Sequence, residues 1–519
     1  TLVSGDRGTY SDTSTQSKNT YADAIATLNK SFNDWSVNVN LGVSLSDSRY
    51  EMIGYEGGLK LINFFAVHNI DFNKAWKAKQ SGWHDQTRAI FANAEIGWKS
   101  MIYLTATGRN DWDSRLAFSD YKSFFYPSIG LSAILTSMFN APDWLTYLKV
   151  RGSYTEVGNS YGRFMTTVTY PYDEQTQSWT STSSYPNTKL KPERTKSWEV
   201  GLDARILNDI SLNLTYYRSN TYNQTFYADL SLSSGYSNIP IQSGNIMNEG
   251  LEMSLGYNKQ WKDFSFNTNY TLTWNKNRVK RLADGVYNYA TGQPIQMPEL
   301  SPLTYGHTDA RLILRVGGSM GDVYGQRLLK RDLNGYILNE EGVGLAMENK
   351  ETYLGSILPK MNMGWSLGFG YKGVNLGMTF TGRFGGIVIS ETQSVLDAAG
   401  VSKVSADVRD AGGVQINQSK VSAQTYYQTI QGTAAYYTYS ATNVRLGELS
   451  LSYTLPKKWF DNKVGMTVGL VGKNLWMIYC KAPFDPELTT SAASNFYQGF
   501  DAYMLPSTRN FGFNVKFQF

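Results

Sequence analysis

The sequence predicts an all-β fold, a transmembrane antiparallel β-barrel, on three observations. Apolar and small polar residues alternate along segment after segment, which gives each strand one apolar and one polar face. Many segments run ten residues or more, whereas soluble strands average about five or six and a tilted membrane strand needs about 9–11. The connections alternate short and long along the chain. A sandwich has no reason to sort its loops so, but an outer-membrane barrel has short periplasmic turns and long outer loops.

The elements follow in order. Fifteen strands are predicted near 19–31, 35–47, 86–97, 100–109, 126–137, 146–156, 194–205, 210–219, 251–258, 264–275, 358–371, 374–383, 442–456, 464–476 and 507–519. The second shows the pattern plainly: Val37, Val39, Leu41, Val43 and Leu45 interleave with Ser36, Asn38, Asn40, Gly42 and Ser44. Phe266, Thr268, Tyr270, Leu272 and Trp274 do the same in the tenth, and Phe511, Phe513, Val515 and Phe517 in the last. The polar positions are Gly, Ser, Asn and Thr rather than Lys and Glu, which suits a crowded wet lumen. Trp35, Trp98, Tyr154, Trp198, Tyr216, Trp274 and Tyr371 sit at strand ends, where interfacial girdles place aromatics. The long connections are 48–85, 110–125, 157–193, 220–250, 276–357, 384–441 and 477–506. A further hairpin around 311–316 and 324–329 could lie within 276–357. Single-chain bacterial barrels have even strand numbers. Fifteen is odd, and so is seventeen. An open edge in lipid would leave backbone groups unpaired at a cost of several kcal/mol each. The expectation is therefore that residues 1–519 are the C-terminal portion of a larger barrel, or are completed by another chain.

Composition excludes other classes. Charged residues make up 18%, below the roughly 25% of soluble domains, and aromatics reach 14%. The net charge of +5 is evenly spread, so no nucleic acid is expected as a partner. One cysteine, Cys480, makes no internal disulfide or Cys-based zinc site, and His68, His84 and His307 lack metal-ligand spacing. No run of about 18 apolar residues forms a transmembrane helix. No catalytic constellation and no cofactor are expected: no histidine lies near a Gly-x-Ser-x-Gly turn.

Several segments, taken together and in order, resemble one family. Thr107-Gly108-Arg109-Asn110-Asp111-Trp112 is followed by Tyr126-Pro127-Ser128. Leu190-Lys191-Pro192-Glu193-Arg194-Thr195 leads to Glu199 and Gly201. Asn248-Glu249-Gly250-Leu251-Glu252, Asn474-Leu475 and Asp485-Pro486-Glu487 close the series. The ordered set, over roughly residues 100–519, is similar to the SusC/RagA family of TonB-dependent outer-membrane transporters. The resemblance implies an about 22-stranded barrel plugged by an N-terminal domain. It implies import of an oligosaccharide or peptide, as in Bacteroidota, with a SusD-like surface lipoprotein as lid. A dimer of such pairs is a further expectation. TonB would act through an N-terminal region outside this chain, and the plug and first strands have no counterpart in it. A passive porin and a soluble sugar-binding or adhesin β protein are the alternative readings.

Individual motifs read as follows. Arg109, Asp111 and Trp112 with Asp113 and Arg115 suggest a salt-bridged strand end rather than a ligand contact, since structural ion-pair networks are common. Pro127 belongs to the same motif. Glu193 and Arg194 are expected as a pair in the lumen wall, behind a strand started by Pro192. Asn474 is read as structural. Asp485-Pro486-Glu487 with Asp501 could bind Ca²⁺, but the calcium-loop spacing is missing and a Pro-fixed turn is favoured. Gly317-Gly318-Ser319-Met320-Gly321 lacks the Lys of a phosphate loop and is expected to let a loop fold inward. Loop tyrosines are the ligand candidates: Tyr287, Tyr289, Tyr426, Tyr427, Tyr436 and Tyr437. Sugars stack on such rings and peptides bond their hydroxyls, although loop packing would use them equally well. Phe519, a terminal aromatic on an alternating strand, is expected to serve as the outer-membrane assembly signal.

Overall fold

The computed structural model describes residues 7–519 apart from 75, 174–177, 181, 243, 288–291, 298, 341–343, 417–418, 489 and 491–494. Fifteen strands form one antiparallel sheet in chain order: β1 (Thr9–Phe32), β2 (Trp35–Gly58), β3 (Trp76–Trp98), β4 (Ile102–Asp113), β5 (Phe124–Ile134), β6 (Leu145–Asn159), β7 (Glu193–Ile206), β8 (Ile210–Tyr222), β9 (Asn245–Trp261), β10 (Phe264–Arg281), β11 (Met361–Tyr371), β12 (Val374–Phe384), β13 (Asn443–Leu455), β14 (Gly465–Cys480) and β15 (Asn510–Gln518). All fifteen expected strands are present, and β1 and β15 are the edges.

The register turns the alternation into two faces. On one, Val43 pairs with Ile90, Leu41 with Ala92 and Trp35 with Trp98, whose rings lie 6.5 Å apart. Phe266 meets Phe369 at 5.0 Å, and Trp365 meets Phe380 at 5.8 Å. Leu41, Ile90, Leu470 and Phe513 are exposed on this face, as lipid-facing side chains are. The other face carries small residues. Asn267 pairs with Gly368, Asn269 with Ser366 and Asn375 with Gly370. Gly250 shows why smallness is required there: a Cβ would meet the Tyr217 ring at 2.6 Å and the Trp274 carbonyl at 2.5 Å. Tyr217 lies across Gly250 and donates its hydroxyl to Asn275 Oδ1 at 3.0 Å.

Tight turns close one end of the sheet. Lys372 and Gly373 join β11 to β12 with φ of 45° and 89°, the positive pair that a two-residue hairpin needs. A short helical turn, Leu135–Met138, ends β5 earlier than expected. At the other end the sequence underestimates several strands: β1 begins at Thr9, β9 begins at Asn245 and β10 runs on to Arg281. β2 and β3 continue to Gly58 and from Trp76, so much of the expected loop 48–85 is a paired ribbon. Above the membrane both faces meet water, the alternation disappears, and the backbone ladder continues without it. His84 therefore lies on a strand, 2.6 Å from Asp47. The hairpin expected within 276–357 exists as Arg311–Arg315 and Asp322–Leu329, but it belongs to a separate four-stranded sheet outside the wall.

Candidate functional site

Three loops build a packed cap at the open end. The loop from β10 to β11 contributes the four-stranded sheet Glu299–Thr304, Arg311–Arg315, Asp322–Leu329 and Met347–Ser356. The β12–β13 loop contributes Ile387–Ser390, Thr438–Ser440 and three helices, Glu391–Ala398, Lys403–Asp410 and Ala423–Ile430. Each helix starts at a serine whose Oγ accepts a first-turn N–H: Ser390, Ser402 and Ser422. The last loop adds Phe500–Asp501, which pairs in parallel with Ile389–Ser390.

The loops share their cores. Tyr305, Leu312, Val323 and Ile357 from one loop pack with Ile389 and Ala434 from the second and Phe500 from the third. Polar contacts repeat the pattern. Tyr305 donates its hydroxyl to the Phe496 carbonyl at 2.7 Å. Asp309 accepts the Ala434 N–H at 2.6 Å and the Gln326 N–H at 3.1 Å. Ser390 donates to Asp501 Oδ2 at 2.6 Å.

A buried latch ties the third loop to the wall. Arg445 on β13 grips Asp485 with two bonds, at 3.0 and 2.8 Å, and its Nη2 lies 3.3 Å from Glu487. Asn443 donates to Glu487 Oε1 at 3.1 Å. Burial opposes ionisation of Asp485, but the Arg445 fork and the Glu487 N–H outweigh it and hold its carboxyl below the usual range. Asp485 and Asp501, considered together from the sequence for a cation, lie in different contacts. Nothing local marks Arg445 as the partner of Asp485, because the pairing spans forty residues of chain.

The expected tyrosines divide. Tyr427 and Tyr437 are buried in a cap core with Leu329, Leu345, Ile416 and Ile430. Tyr426 and Tyr436 pack against that core, and the Tyr436 hydroxyl accepts the Leu329 N–H at 3.1 Å. Burial pushes the Tyr437 hydroxyl well above its ordinary pKa, and the Tyr439 hydroxyl up to about 12. Tyr287 is exposed. Tyr289 lies outside the described residues.

The motif residues are placed as follows. Arg109 Nε sits 2.7 Å from Asp111 Oδ1, and the Tyr126 hydroxyl donates to Asp111 Oδ2 at 2.8 Å. Arg109 also lies 5.7 Å from the Phe91 ring centre. Trp112 is exposed on the lipid side, and Pro127 lies opposite Gly108. Glu193 opens β7, but it shares no face with Arg194, because consecutive strand residues point oppositely. Arg194 instead pairs with Glu156 at 3.1 Å on the outward side. Asn474 has φ of 53° at a register shift in β14, a conformation Asn tolerates, and donates to the Thr508 carbonyl. Phe519 is fully exposed, its ring 6.5 Å from that of Phe517.

Comparison with known proteins agrees with this architecture. Residues 2–475 match the family described as TonB dependent receptor-like, beta-barrel, and the chain belongs to that family. It is 24% identical to TonB-dependent receptor P3 of Formosa agariphila over 96% of this chain and 52% of that protein. It is 25% identical to TonB-dependent receptor SusC of Bacteroides thetaiotaomicron over 46% of this chain and 22% of that protein. Its fold matches the structure of the RagAB peptide importer in the open-open state with a TM-score of 0.75, at 18% identity, over 98% of this chain and 55% of that one. The chain spans about half the length of the foremost of these relatives. It is an outer-membrane β-barrel of the SusC/RagA type.

Proposed function

We propose that this chain is the C-terminal wall and outer cap of a TonB-dependent importer for an oligosaccharide or a peptide. The observation that carries the reading is the interlocking of the three loops. Their shared core and the Arg445–Asp485 latch make a preformed surface over the barrel rather than separate mobile loops. A passive porin relies on an open constriction, to which such a cap contributes nothing. One of the similar structures is named a peptide importer, RagAB, which supports a peptide as the cargo of this reading.

In this reading a SusD-like surface lipoprotein closes onto the cap. Leu333, Val401 and Val404 are exposed apolar side chains on the cap and suit such a lid. Tyr287 offers an accessible ring to cargo, while Tyr427 and Tyr437, with Tyr426 and Tyr436 packed against them, hold the cap together. Energy coupling through TonB belongs to a plug region outside this chain.

Uptake tests the reading. Cells lacking the full-length receptor are supplied with single oligosaccharide or oligopeptide fractions. At least one fraction should cease to be taken up, and deleting TonB should abolish the same uptake. Uptake that persists without TonB, together with steady conductance of the purified protein in bilayers, would establish the porin instead.

A further inference from the structure

The wall has a notch near its outer rim. The β10–β11 ladder ends at Trp274 and Met361, after which the Asn275 N–H reaches the Lys360 carbonyl at 3.1 Å. The chain before Lys360 then turns away, and Ile357 bonds to Gly321. The Asn277 side chain accepts the Met320 N–H at 2.7 Å, and the next main-chain bonds of β10 on this side are those of Val279, two of 2.8 Å with Gly317 and Gly318. By the alternation of an antiparallel ladder, Asn277 points its main chain into the gap between these contacts. The Gly-rich loop thus stands beside β10 in place of a continuing β11 and leaves a cavity of about 600 Å³.

The lining is basic. Lys276, Arg278 and Lys360 border the cavity. Lys276 lies 3.7 Å from Glu249, while Arg278 and Lys360 have no ion-pair partner among the described residues. Asp322 is the one carboxylate in the lining, and both its oxygens are engaged, by the Ser319 N–H at 2.8 Å and the Tyr353 hydroxyl at 3.1 Å.

The height of the notch is set by the register. Leu251, Trp274 and Met361 form the top apolar row of this part of the lipid face. One step further out on the same face, the row reads Arg218, Glu249 and Lys276. Lys276 and, two residues on, Arg278 therefore stand where hydrocarbon gives way to head groups, and Lys360, opposite Asn275, borders the same cavity from across the gap in the wall.

We propose that this notch binds the phosphate of an outer-leaflet lipid head group. Arg278 and Lys360 supply charge-assisted hydrogen bonds, Lys276 adds a third, and Trp274 marks the boundary with the acyl chains. The site serves membrane seating and is independent of the cargo.

The test uses the full-length receptor, purified in mild detergent and mixed with lipid A or with lipid A stripped of phosphate, bound lipid being read by native mass spectrometry. The phosphorylated form should bind about tenfold tighter or more. The triple variant Lys276→Ala, Arg278→Ala, Lys360→Ala should lose that preference, and Lys403→Ala with Lys420→Ala on the cap should keep it. If the triple variant does not fold, the pair Arg278→Gln, Lys360→Gln is read in the same way. Equal binding of the two lipids, an unchanged preference in the variant, or full displacement by millimolar inorganic phosphate would overturn the proposal.

Discussion

Replacing Asp485 with alanine should release the last loop from the wall without dissolving the barrel. Arg445 is buried, with only 11% of its side chain accessible, and Asp485 supplies both of its carboxylate bonds under 3.1 Å. Removing one partner of a buried pair costs about 3–5 kcal/mol, because the other charge is left unsatisfied. Here Asn443 stays bonded to Arg445, and Glu487 remains 3.3 Å away, so the loss should be smaller, about 2–3 kcal/mol. That corresponds to roughly a 30- to 150-fold rise in the open population of the loop. Hydrogen exchange resolved by peptide should show faster exchange across 481–509 and unchanged exchange in β11 and β12. Asp485→Asn, which keeps the shape and loses the charge, should fall between. Unchanged exchange in the loop, or global loss of protection, would refute the latch.

Three other outcomes are expected. Because the Asp485 carboxyl titrates below its ordinary value, its contribution is fully present above about pH 4 and is lost as the pH falls through the folded value; exchange in 481–509 should accelerate only in strong acid, and a midpoint near neutrality would contradict this. Gly250→Val should drive Tyr217 off Asn275 and strain the β9–β10 ladder, costing about 1–3 kcal/mol; the heat-modifiable folded band on a gel should melt at lower temperature. The Tyr437 hydroxyl is buried and meets no acceptor among the described residues, so Tyr437→Phe should leave the cap unharmed, whereas Tyr437→Ala should cost about 3–5 kcal/mol and expose the helices to protease.

The wall was legible because lipid imposes a period. Wherever one face meets hydrocarbon, as from Val37 to Leu45, side-chain alternation marks both the strand and its orientation. Where that constraint lapses, so does the signal. The ribbon above Leu45 is paired, yet Asp47, Ser48, Arg49 and Glu51 carry no alternation to announce it. The cap was less legible still. Its strands are short, and its contacts join residues far apart in sequence, as Tyr305 with Phe500 or Arg445 with Asp485. The loop tyrosines stood out by composition, but composition does not distinguish a ring offered to cargo from one that fills a core. Arg194 shows the opposite lesson, since period two alone places it on the face away from Glu193.

The account rests most directly on the sidedness of the loops. Single cysteines at Leu333 in the cap and at Lys262 in the β9–β10 turn, in a Cys480→Ser background, can be probed on intact cells with a membrane-impermeant maleimide. The account predicts labelling at 333 on intact cells, and at 262 only after the outer membrane is opened. Labelling of both positions on intact cells, or of 262 alone, would contradict it.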